Sequence, residues 1–164
     1  MRSHWVFAGL AVLLASGCYV SEDPLNPPDA AERDPQLIGK WRCVSRSPDA
    51  EATAVITVKP FDATQYEVEF AEGGNDPYRY RGHGARLGNA MLVSLREIRD
   101  GSPGAAWVFV RYEFVRPTIL EMRIVDEPLL KGLGPKAALN TIRNEVENAD
   151  LYRDFCVCVL VKGP

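Results

Sequence analysis

Tyr66-Glu67-Val68-Glu69-Phe70 decides the fold, because three apolar side chains are separated by single glutamates. Successive residues of a strand face opposite sides of a sheet, so this run buries one face and solvates the other. The same period of two continues on either side. Before it, Ala54, Ile56 and Val58 alternate with Thr53, Val55 and Thr57. After it, Glu72-Gly73-Gly74-Asn75-Asp76-Pro77 supplies residues that tolerate positive φ and then a proline that restarts an extended chain. Tyr78 and Tyr80 next alternate with Arg79 and Arg81, and this strand is expected to end, bulge or bend at Gly82-His83-Gly84. Met91, Val93 and Leu95 form another run, broken by Asp100-Gly101-Ser102-Pro103-Gly104. Trp107 to Phe114 starts apolar on both faces, as a strand covered on both sides would. Leu120, Met122 and Ile124 then share a face against Glu121 and Arg123.

After Val125 the period changes. Gly134-Pro135 places proline at the first position of a helix. Ala138, Leu139, Ile142, Val146 and Ala149 follow the i, i+3, i+4, i+7 rule, with Lys136, Arg143, Asn144 and Glu147 on the other side. A short turn over 150–154 leads to Phe155-Cys156-Val157-Cys158-Val159-Leu160-Val161, a β-branched closing strand apolar on both faces. With Leu37 to Val44 as the first strand, the order predicts a mainly β chain: an antiparallel up-and-down barrel of about eight strands with one α-helix before the last.

That first strand reads Leu37-Ile38-Gly39-Lys40-Trp41-Arg42-Cys43-Val44. Gly-x-Trp entering the first strand of such a chain resembles the first conserved region of lipocalins and the wider calycins. The resemblance implies that Gly39 lets the chain turn tightly beneath the barrel and that Trp41 plugs its closed end. It also implies that an arginine late in the chain stacks on Trp41, with Arg111, Arg123 and Arg153 all open. Such a barrel carries one small apolar ligand or fills with its own side chains. The length of the folded part and large inward residues such as Tyr66, Phe70, Met91 and Met122 lean towards a filled interior.

The chain begins with a single charge, Arg2, and an apolar run from Val6 to Ala15, too short for the roughly 20 residues of a bilayer span. Leu14-Ala15-Ser16-Gly17-Cys18 follows, and this resembles the lipobox of bacterial lipoproteins. The resemblance implies cleavage after Gly17 and a diacylglycerol on Cys18, with residues 1–17 a signal peptide. Residues 18–36 are expected to be a lipid-bearing, solvated tether: Pro24, Pro27, Pro28 and Pro35 alternate with Glu22, Asp23, Asp29, Glu32 and Asp34. Residues 37–164 form the barrel domain. Tyr19, in place of the aspartate that often retains such proteins at the inner membrane, leans towards a periplasm-facing site on the outer one.

An exported chain sits where disulfides persist. Cys43 shares a face with Trp41, and Cys156 and Cys158 share a face of the last strand. If the barrel closes by joining its first and last strands, Cys43 meets one of the two, leaving the other a thiol; the alternative is three reduced thiols packed as small hydrophobes. Three cysteines and His83, at these spacings, do not make a zinc site, and no cofactor is implied.

The chain carries 19 basic and 22 acidic residues, and losing Arg2 with the signal leaves a mature charge of −4. Mild acidity argues against nucleic acid, which calls for a basic face. Tyr78, Arg79, Tyr80, Arg81 and His83 are a weak binding cluster for an anion or glycan, since the arginines are expected beside Glu67 and Glu69 across the hairpin. No serine or cysteine nucleophile is tied to His83, so an enzyme is not expected. The expectation is a monomeric envelope lipoprotein, held to the membrane through Cys18, whose barrel binds a small apolar ligand. A protein-interaction, inhibitor or assembly module is the alternative. A filled barrel with an exposed apolar patch would favour the second.

Overall fold

The structure is a computed structural model that describes residues 17–46 and 52–163. Most of the segment expected to be a signal peptide, including Leu14, Ala15 and Ser16, lies outside the described residues. Eight antiparallel strands close into one barrel in sequence order: β1 Gly39–Ser45, β2 Thr53–Pro60, β3 Gln65–Glu72, β4 Tyr78–Leu87, β5 Ala90–Arg99, β6 Ser102–Arg116, β7 Ile119–Val125 and β8 Tyr152–Lys162. A helix, α1 (Pro135–Asn144), stands between β7 and β8, starting at the expected proline. Pairing of β1 with β8 closes the ring, with Cys43 opposite Cys158 and Val44 opposite Val157.

Alternation sorts the side chains as the sequence pattern requires. Trp41, Cys43, Ile56, Val58, Tyr66, Val68, Leu120, Cys156 and Cys158 form one buried cluster inside the barrel. Outward charges pair across β2, β3 and β4: Glu69 lies 3.5 Å from Lys59 and 3.9 Å from Arg79.

A second core lies outside the barrel. Trp107, Phe109, Leu92, Ala85 and Ala90 point outward from β4–β6 and are buried against Ala138, Leu139 and Ile142 of α1. This explains why β6 begins apolar on both faces. The helix covers only part of that surface. The remainder is covered by residues 18–37, which do not form a solvated tether. They lie along the barrel wall as a strap: Ser21 and Trp107 exchange backbone hydrogen bonds of 2.9 and 2.7 Å, and Leu25 is buried in the outer core. Arg143 of α1 donates to the Leu25 carbonyl at 2.8 Å, binding helix and strap together.

The strap then crosses the barrel rim. A Cβ on Gly84 would sit 3.0 Å from the Glu32 carbonyl oxygen, so the crossing needs glycine there. A Cβ on Gly82 would meet Leu95 Cδ2 at 2.4 Å. The glycines around His83 therefore serve close packing, and β4 runs through them to Leu87 with neither break nor bend. Past the rim a short 3-10 turn, Pro35–Leu37, caps the barrel end with Leu37 buried. The Trp41 indole N–H donates to the Leu37 carbonyl at 2.9 Å. Gly39 enters β1 at φ +151°, a conformation that side chains rarely allow. Trp41 thus plugs this end, packed beside Phe114 with ring centres 6.0 Å apart. No arginine stacks on it among the described contacts: Arg111 pairs with Glu147, Arg123 with Asp154, and Arg153 donates to Cys18 Sγ.

Trp41 is fully buried, so Trp41→Ala should cost about 3–5 kcal/mol in denaturant unfolding, the range for truncating a core aromatic. A loss under about 1 kcal/mol, the scale of surface changes, would show that the ring does not hold the barrel end.

Candidate functional site

The interior is the first place to look for a ligand, and it is filled. Trp41, Tyr66, Leu120 and Cys158 are fully buried, Tyr112 and Phe114 meet edge to face, and Phe70 stacks on Phe155 with centres 6.2 Å apart. Ligand chambers start at about 300 Å³. A concavity of about 400 Å³ exists, but it lies on the outer wall, lined by Tyr19, Val20, Ser21, Glu22, Ala105, Ala106 and Pro135. A second, of about 10 Å³, lies beside Arg111 and Arg123. Both are lined mainly by residues of the outer wall.

The plugged end has one polar centre, Asp34, which the sequence pattern did not single out. Tyr112 donates to Asp34 Oδ2 at 3.0 Å, and Tyr66 Oη meets the Asp34 backbone N–H. Burial pushes the Tyr66 hydroxyl up to about 12 and raises Tyr112 as well. Both phenols are therefore neutral and fasten the strap, Tyr112 as donor and Tyr66 as acceptor of the Asp34 N–H, and have no acid–base task near neutral pH.

The three barrel cysteines meet at one spot. Cys43 and Cys158 form a disulfide with Cα atoms 3.9 Å apart, and Cys156 Sγ lies 3.6 Å from Cys158 Sγ. All three sulfurs fall within 4.8 Å of one another. Burial pushes the Cys156 thiol up to about 12. A thiol is reactive and metal-binding only as its thiolate, so this one is inert while the barrel is closed. His83 points to the opposite side of the wall and brings no fourth ligand.

Nor do Tyr78, Arg79, Tyr80, Arg81 and His83 assemble a single site. Tyr80 packs inside the barrel. Arg79 and Arg81 stand outside, opposite Glu69 and Glu67, as the hairpin reading expects, and Arg81 lies over the Phe61 ring. His83 is fully buried under the strap, with Nε2 2.7 Å from the Asn26 carbonyl and its ring edge-on to Trp107. Its Nδ1 has no described partner. Desolvation holds His83 below its usual pKa of 6.5, with Arg96 adding in the same direction against the Asn26 hydrogen bond. The ring is a structural fastening for the strap.

Two surface features remain. At the barrel end opposite the plug, Cys18 pairs with Asp126, and the Tyr19 N–H donates to the Val125 carbonyl at 3.2 Å. The lipidation candidate is therefore held against the barrel and not on a free arm. The second feature is on the outer face of β8. The closing strand was expected to be apolar on both faces, yet nothing covers its outer one among the described residues: Val44, Val115, Val159 and Val161 are 54, 53, 52 and 50% exposed. Val157 lies between Val44 and Glu121, and Val159 between Arg42 and Ile119, so these side chains form one stripe across β1, β8 and β7. Its signal in the sequence was present: from Val157 onward the outward residues of β8 are valines, while Glu67 and Glu69 stand outward on β3.

Compared with known proteins, the chain matches no family model, no curated protein and no solved structure at a significant level.

Non-reducing peptide mapping should recover a Cys43–Cys158 pair and show Cys156 alkylated only after unfolding; a Cys43 peptide that runs alone would disprove the bridge. The histidine sets a second expectation. A lowered folded pKa means that His83 stabilises fully above about pH 6.5 and loses this as pH falls through the folded value. The stability of the wild type should thus drop more between pH 7 and 5 than that of His83→Gln. Parallel declines would mean that His83 does not titrate on unfolding.

Proposed function

We propose that the protein is a lipid-anchored lipoprotein of the cell envelope whose lipocalin-like barrel is a non-enzymatic interaction module. One observation carries this reading: the barrel is filled, while on its outer wall a stripe of four valines and Ile119 runs across β1, β8 and β7, with Val44, Val159 and Val161 at least half exposed. Monomeric soluble proteins rarely leave contiguous apolar surface uncovered without a use, and closure of the barrel removes edge strands as the docking element. A partner would lie flat on the β1–β8–β7 face, with valines at the contact centre and Arg42, Arg46 and Glu121 at its polar rim. The lipobox-like segment and Cys18 support the anchor, and Tyr19 supports the outer membrane over the inner. A carrier of small apolar ligands is disfavoured, because such a ligand would have to displace Trp41, Tyr66 and Phe114 from the core.

Detergent phase partitioning of the wild type and Cys18→Ser tests the anchor, with the variant expected in the aqueous phase and free of acyl mass. Identical partitioning of the two would end the lipoprotein reading. Site-specific cross-linking from position 159 in cells should capture a discrete envelope protein, lost in Val159→Asp with Val161→Asp at unchanged unfolding midpoint. Cross-links that survive those changes would remove the stripe as the docking surface.

A further inference from the structure

We infer that the barrel rim beside Cys18 beds directly into the bilayer surface, through Val20, Leu129 and Leu133. The inference rests on the lipoprotein reading above and adds what that reading leaves open, the pose of the domain on the membrane. Its basis is the absence of slack. From Cys18 onward the chain is hydrogen-bonded to the barrel: Tyr19 to Val125, then Ser21 to Trp107. A diacylglycerol on Cys18 places that atom at the membrane, and one residue later the backbone already belongs to the wall.

The surface brought to the lipid is then fixed by contact. Cys18 pairs with Asp126, where the β7–α1 connection begins. This connection reads Leu129-Leu130-Lys131-Gly132-Leu133. Leu130 turns inward and is buried in the outer core, while Leu129 and Leu133 are each 42% exposed, and Val20, two residues past Cys18, is 40% exposed. The Leu133 N–H donates to the Leu130 carbonyl at 3.1 Å, and this turn keeps both outer leucines presented. Three large aliphatic side chains are thus exposed on the two segments that meet at Cys18, the start of the strap and the β7–α1 connection. Each buries apolar area on entering the acyl–headgroup boundary, at roughly 25 cal/mol per Å². Lys131, exposed between the leucines, can lay its stem along them and reach phosphate. Asp126 and Glu127 on the same rim offset that charge, so the contact is apolar in character and insensitive to salt.

The test uses the full acylated protein, its acyl mass confirmed, in phosphatidylethanolamine–phosphatidylglycerol vesicles. An environment-sensitive fluorophore is attached in turn at Leu129→Cys, Leu133→Cys and, on the far rim, Val115→Cys. Quenching by lipids spin-labelled along the acyl chain should be several-fold stronger at positions 129 and 133 than at 115, and unchanged in high salt. Amide exchange of the unaltered chain should slow over 126–134 on vesicles relative to the unacylated chain in buffer. Confirmed acylation and vesicle binding with unquenched labels at 129 and 133, or with quenching at 115 instead, overturns the pose while leaving the lipoprotein reading intact. A chain without acyl mass that stays off vesicles overturns both.

Discussion

Closure of the sheet by β1 on β8 is the constraint on which the rest of the molecule depends. It turns a row of alternating strands into an inside and an outside, and so gives each apolar residue one of two destinations. The first strand and the last are far apart in the chain, and joining them is a costly long-range event for which local propensity gives no help. The Cys43–Cys158 bond sits on this seam, 115 residues apart in sequence. A loop of that size corresponds in the chain-entropy account to roughly 4–5 kcal/mol taken from the unfolded state. The same bond lies in the filled core between Trp41 and Cys156, so losing it would open the seam and disturb the core at once.

The barrel was legible because its signal is local and repeated. Strands such as Tyr66–Phe70 carry their facing in the period of two, and the change to a helical period after Gly134 marks the start of α1, although the period runs on through Val146 and Ala149 and the helix ends at Asn144. The disulfide followed from closure plus parity, but not the choice between Cys156 and Cys158, since both share a face and differ only in the register of β8. The strap was not legible. Its composition averages to an acidic, proline-rich linker, yet it is held by a few anchors (Ser21, Leu25, Ala31 and Leu37) and by backbone hydrogen bonds that composition does not record. The clue lay elsewhere in the chain. Trp107 and Phe109 point outward from a barrel strand and require a cover, and ten residues of helix are too few to supply it.

The functional surfaces follow the same division. His83, flanked by two glycines and two arginines, has the look of a binding residue in sequence, whereas burial under the strap makes it a fastening. The outer residues of β8 have the opposite history. A β-branched run in a closing strand reads as core, and alternation then leaves half of it outside, with no helix or strap to meet it among the described residues. Sequence pattern says which residues share a face; it does not say which faces are covered, and that is decided by long-range packing.

The two surface proposals are coupled by geometry. Cys18, Leu129 and Leu133 lie at the end of the barrel where β7 finishes and β8 begins. The chain of β8 runs from this end to the plugged one, so its outer valines lead away from the proposed bilayer contact, with Val157 nearest and Val161 farthest. Strands in such barrels tilt by some 35–45°, and the stripe therefore rises obliquely from the membrane. A strap pinned from its first residue fixes the domain's height and limits its rotation, which lowers the ordering cost when the stripe meets a surface at a set distance from the bilayer. A free arm would let the barrel search a wide shell at higher entropic cost. On the proposed anchor, pinning thus favours a partner that is itself anchored in or on the same membrane, and disfavours capture of soluble proteins far from it.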